Sequence, residues 1–92
     1  MKTLKLIATL RDIVGARELT VPFEGGQTVR ELIQSIAEVS PALGDEIITG
    51  DGELTGTVHI LVHGRNIVWL DGLDTTIREE DAIVLIPPAA GG

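Results

Sequence analysis

Residues 24–41, EGGQTVRELIQSIAEVSP, carry the clearest helical pattern in the chain. Val29, Leu32, Ile33, Ile36 and Ala37 recur at the three- and four-residue spacing that lines up one stripe of a helix. Thr28 and Glu31 stand at capping-box spacing, so each side chain can satisfy a backbone N–H of the first turn that lacks a helical partner. Pro41 limits the far end. A helix of this kind has one stripe to bury, and the strand patterns on either side must supply the surface that buries it.

From Lys2 to Leu10 the period is two, with Leu4, Leu6, Ala8 and Leu10 on one face and Thr3, Lys5, Ile7 and Thr9 on the other. Ile7 is the apolar exception on the polar face. RDIVGA then reads as a turn with Gly15 in its loop. RELTVPF returns with Leu19, Val21 and Phe23 on one side, which completes a hairpin. Residues 42–56 are Gly-rich and weakly patterned, and read as a loop with one short helical turn. TVHILVHGRNIVWL gives two strands around His63–Gly64, where glycine supplies a positive φ and histidine tolerates one. DGLDTTIREED is a connection, and AIVLI is a last strand that Pro87 and Pro88 end by removing two backbone donors.

The expected order is β-β-α-β-β-β. This is an α+β fold, a mixed sheet of four to five strands with one main helix packed on one face. If the first and last strands are neighbours, Leu4, Leu6, Ile83 and Leu85 face the helix. Ile7, Leu61, Val84 and Ile86 then lie together on the opposite face, an aliphatic surface suited to binding a partner.

Composition narrows the function. Ile, Leu and Val supply 30 of the 92 residues, whereas Phe23 and Trp69 are the only aromatics, so one aliphatic core and a single domain are expected. A formal charge of −7 repels phosphate backbones and the aromatic platforms for base stacking are missing, which argues against nucleic-acid binding. The same field favours encounter with a basic cleft on a partner protein. With no cysteine, disulfides, thiolate metal sites and a thiol nucleophile are excluded. Arg11 and Asp12 break the apolar opening before it can act as a signal peptide, and no run approaches a membrane span, so the chain reads as cytoplasmic. His59 and His63 do not make a metal site, the carboxylates at 71–81 lack calcium-site spacing, and no catalytic triad is visible.

What remains is IPPAAGG at 86–92. Ala89, Ala90, Gly91 and Gly92 have little or no side chain, so such a tail can thread a narrow channel. Pro87 and Pro88 stiffen its stem and lower the cost of ordering it in a partner. A carboxylate is unreactive until activated, so the partner must supply the catalysis.

KLIATLRDIVG at 5–15, TVRELI at 28–33 and GRNIVWLDGLDTTIREEDAIVLIPPAAGG at 64–92 resemble the MoaD/ThiS family of ubiquitin-like sulfur carriers, over essentially the whole chain. The resemblance is closest to the branch that forms the small subunit of molybdopterin synthase. It implies a β-grasp domain over 1–88 and a flexible Gly-Gly tail over 89–92. It also implies a carrier that is not an enzyme on its own and binds no cofactor stably. A ubiquitin-activating-type adenylyltransferase would use ATP to adenylate Gly92, and a sulfur donor would displace AMP to leave a thiocarboxylate. In this branch the tail enters the large subunit of molybdopterin synthase and gives its sulfur to a pterin. The same resemblance allows joining of Gly92 to lysines of target proteins, or sulfur delivery for thiamine, cysteine or tRNA thiolation. Ile7 and Ile86 stand where the family often has Phe, Glu80 replaces a turn glycine, and His63 sits where Asn is common.

Overall fold

The first and last strands are neighbours. In the computed structural model, which describes residues 1–87, β1 (Lys2–Leu6) lies parallel to β5 (Ile83–Ile86), with Leu4 beside Ile83 and Leu6 beside Leu85. A parallel pair needs a long crossover, and almost the whole chain lies between these two strands. β2 (Glu18–Val21) pairs antiparallel with the outer edge of β1, and β3 (His59–Val62) pairs antiparallel with β5. With β4 (Arg65–Asn66) on the far edge, the sheet order is β2-β1-β5-β3-β4.

The helix expected from the sequence is α2 (Val29–Val39), and its capping box is formed as the spacing requires. The Glu31 N–H donates to the Thr28 hydroxyl at 3.3 Å, and the Thr28 N–H donates to Glu31 Oε1 at 3.0 Å. Val29, Leu32, Ile33 and Ile36 are buried in one core with Leu4, Leu6, Ile60, Ile83 and Leu85. His63 and Gly64, with φ of 52° and 81°, make the β3–β4 turn with two successive positive values, the pattern of a type I′ hairpin.

Two segments differ from the sequence reading. The expected turn at 11–16 is part of a helix, α1 (Thr9–Val14), and β1 stops at Leu6. Leu10 continues the strand's period by coincidence, because positions 10, 13 and 14 also share a helical stripe. That stripe buries Leu10 and half-buries Ile13 and Val14. Residues 41–47, read as loop with a helical turn, form the seven-residue α3 (Pro41–Ile47). Pro41 ends α2, as expected, and is also a first-turn residue of α3, a position where its missing N–H costs nothing. Ser40 accepts from the Leu43 N–H at 3.4 Å and so caps the new helix. Gly44 permits α3 to approach α2, since a Cβ there would stand 2.7 Å from the Ala37 Cβ. The fourth strand is only two residues long, because Asn66 turns the chain into a 3₁₀ turn (Ile67–Trp69) by accepting the Val68 N–H at 3.1 Å.

Candidate tail root and docking face

β5 is the strand that leads to the tail, and it is held from both sides. Its buried residues, Ile83 and Leu85, anchor it in the core, while Val84 and Ile86 alternate onto the opposite face. On that face Leu61 stands opposite Val84, and His59 opposite Ile86. Lys5 stands beside Val84 from β1. Ile7 follows the end of β1, and its N–H donates to the Leu85 carbonyl at 3.1 Å. The register therefore places Ile7, Leu61, Val84 and Ile86 on and beside the outer face of β5, in the stretch that ends at Pro87. Each is half-buried. Pro87 is half-buried too, whereas Pro88, Ala89, Ala90, Gly91 and Gly92 lie outside the described residues.

The polar surroundings of this face are ordered. Asn66 Nδ2 donates to His59 Nδ1 at 3.2 Å while Asn66 Oδ1 accepts from Val68, which fixes the amide's orientation. A neutral His59 then carries its proton on Nε2. Thr3 and Thr20 share a 2.8 Å hydroxyl contact across β1 and β2, next to the Lys5–Glu18 cross-strand pair.

Lys2 is the residue whose role the sequence reading did not identify. It is 6% exposed, and its ammonium donates to the carbonyls of Arg78, Glu79 and Asp81 at 3.0, 2.9 and 2.8 Å, 5.3 Å from the centroid of the Phe23 ring. The signal was present, because Lys2 has the parity of Leu4 and Leu6 and so points inward. Asp81 Oδ2 accepts the Arg78 N–H at 2.9 Å and Glu79 Oε2 accepts that of Gly25 at 2.9 Å, so the turn that launches β5 is tied down by side chains. At this end of β5, away from the tail, Trp69 is 84% exposed beside an open groove lined by Val62, His63, Arg65 and Arg78. Among the described residues no group of three or more His, Cys, Asp or Glu could hold a metal ion. No helix there is long and apolar enough to cross a membrane.

A mixed five-stranded sheet wrapped on an amphipathic helix, with its parallel first and last strands in the middle, defines a ubiquitin-like β-grasp domain. The ThiS family profile matches residues 4–92, and the chain belongs to that family. Small archaeal modifier protein 3 of Haloferax volcanii is 34% identical over 89 residues, covering 97% of this chain and 96% of that protein. A putative sulfur carrier protein of Archaeoglobus fulgidus is 35% identical over 65 residues, or 71% of this chain and 74% of its own length. The crystal structure of SAMP1 from Haloferax volcanii superposes with a TM-score of 0.82 at 28% identity, covering 99% of this chain and 98% of that one. The chain is thus one of the ubiquitin-like sulfur carrier and modifier proteins.

Proposed function

We propose that the protein carries sulfur on the carboxyl carbon of Gly92, and that it does so for molybdopterin synthesis. The observation that carries the tail chemistry is the position of β5, and the molybdopterin acceptor rests on the resemblance of residues 64–92 to that branch of the family. The strand runs through the centre of the sheet, and its aliphatic outer face continues to Pro87, where a tail of small residues begins. A partner that grips the tail must lie against that face. In the proposed cycle the Gly92 carboxylate attacks the α-phosphorus of ATP on a ubiquitin-activating-type adenylyltransferase, and pyrophosphate leaves. A sulfur nucleophile at the hydrosulfide level then attacks the acyl carbon, expelling AMP and leaving the thiocarboxylate. ATP is thus a co-substrate of the partner, and this chain needs no cofactor of its own.

The division of labour follows from the residues. Ile7, Leu61, Val84 and Ile86 dock on the partner, Pro87 and Pro88 direct the stem, and Ala89, Ala90 and Gly91 pass through the channel. On the large subunit of molybdopterin synthase the thiocarboxylate would give its sulfur to a cyclic pterin phosphate in the cytoplasm. A second reading, joining of Gly92 to lysines of other proteins, is supported by the name of the Haloferax volcanii relative, a modifier protein. The two are separated by offering the activated protein both acceptors, the synthase large subunit with its pterin substrate and a cytoplasmic protein extract. Dithiolene formed with the carrier recovered intact supports the first reading. Gly92 isopeptides on target lysines, with no dithiolene, would replace it by the second.

A further inference from the structure

A protein that carries an activated acyl group must coexist with its own amines and thiols, and this chain has very few. It contains no cysteine and only two lysines, Lys2 and Lys5. The two are not equivalent. Lys2 is buried and its ammonium is held by three carbonyls, so an acyl donor cannot reach its nitrogen without unfolding the turn at 78–81. Lys5 is exposed on the outer face of β1, between Glu18 of β2 and Val84 of β5. The remaining amine, the N-terminus of Met1, donates to the Phe23 carbonyl at 3.1 Å, at the end of β1 remote from the tail.

We infer that Lys5 is the one lysine at which this protein can itself be acylated by the activated tail of a second copy, and that the branch so formed closes the docking face of the copy that bears it. The inference rests on the proposed activation of Gly92. In the step, the Lys5 amine attacks the carbonyl carbon of the acyl-adenylate on the other copy. The new N–C bond replaces the C–O bond to the phosphate, AMP leaves with the electron pair, and the amine proton passes to solvent. The acceptor nitrogen is on the side chain next to Val84, so the attached tail and domain lie across the aliphatic surface leading to Ile86. Docking of that surface on the activating partner in turn covers Lys5. Acylation at Lys5 and activation of the same copy are therefore mutually exclusive, and a carrier held on its partner is protected from self-joining.

The test uses ¹⁵N-labelled full-length protein as donor with ATP, magnesium and the adenylyltransferase of its own organism. The acceptor is unlabelled full-length protein blocked by one extra C-terminal serine, with and without Lys5→Arg. Placing the substitution only in the acceptor leaves the donor's activation untouched, and pyrophosphate release reports that activation separately. The expected result is a mixed labelled–unlabelled dimer, lighter than the sum of its parts by one water, with its branch at Lys5. It should fall more than tenfold with the Lys5→Arg acceptor. Purified Lys5-branched wild-type dimer should then release pyrophosphate from its one unjoined tail at under a tenth of the monomer's rate. Branching at Lys2 or Met1, a cyclised donor in place of the mixed dimer, or pyrophosphate release with no mixed dimer would overturn the inference alone. A branched dimer activated as fast as monomer would overturn the mutual exclusion. No pyrophosphate release at all would overturn it together with the proposed activation of Gly92.

Discussion

Replacing Lys2 by Met tests whether a buried ammonium holds the strand that leads to the tail. Methionine keeps the apolar stem packed in the same space but removes three charged hydrogen bonds of 2.8 to 3.0 Å and the contact with the Phe23 ring. A hydrogen bond to a charged group contributes roughly 1.5–3 kcal/mol net where both partners are shielded from water. Arg78 and Glu79 are exposed, so water can replace part of what their carbonyls lose. The three bonds together then amount to about 2–3 kcal/mol, and loss of the cation–π contact adds roughly 0.5–1 kcal/mol. A loss of about 3 kcal/mol in a domain of this size lowers the thermal midpoint by roughly 12–24 °C. Urea and thermal unfolding followed by far-ultraviolet circular dichroism measure this directly, with an unchanged urea slope expected. Lys5→Met, on the exposed face of the same strand, is the internal control and should cost under about 0.5 kcal/mol. A Lys2→Met protein within about 0.5 kcal/mol of wild type would refute the argument that the ammonium fixes the turn before β5.

Four further substitutions probe three other links. Gly44→Ala puts a methyl 2.7 Å from the Ala37 Cβ; the overpacking costs about 1–3 kcal/mol and outweighs the roughly 1 kcal/mol that alanine gains in helix propensity. Denaturant unfolding should show the combination with Ala37→Gly to be more stable than the two single effects added together. Ile86→Asp should weaken the complex with the adenylyltransferase more than tenfold in a calorimetric titration while leaving the thermal midpoint within a few degrees, because burial of one such side chain contributes roughly 1.5–3 kcal/mol. A collapse of the thermal midpoint would instead mean that the side chain supports the core. Hydrogen bonds, first of all from the Thr28 backbone N–H, hold the Glu31 carboxyl below its ordinary value of 4.5. A depressed folded-state pKa stabilises above the unfolded-state value and is lost as pH falls through the folded one. The midpoint deficit of Glu31→Ala measured at pH 7 should therefore shrink in melts below about pH 4.

The sheet's centre was legible because its residues obey one rule at a time. Leu4 and Leu6 share one parity, Ile83 and Leu85 share another, and Thr28 with Glu31 announces the helix start, so once the first and last strands are neighbours the face that α2 covers follows from parity; that the two strands pair, and in parallel, is supplied by the structure. The two misread segments obey two rules at once. Leu10 fits both a strand and a helix stripe, and Pro41 both ends one helix and opens the next. Lys2 has the inward parity of Leu4 and Leu6, but the carbonyls that accept its ammonium lie 76 to 79 residues away. Such long-range partners have no local signature. The shared face of Ile7, Leu61, Val84 and Ile86 was readable from Ile7, an apolar residue on a polar face, together with the unbroken aliphatic run at 83–86.

Whether the Gly92 carboxyl is the reacting group is read by intact-mass spectrometry. The protein is incubated with ATP, the adenylyltransferase and a sulfide source, beside a variant carrying one extra C-terminal residue. A gain of about 16 Da, oxygen replaced by sulfur, is expected, located by fragmentation to Gly92 and absent from the extended variant. Sulfur acquired at an equal rate by the extended variant, or located anywhere else in the chain, would contradict it.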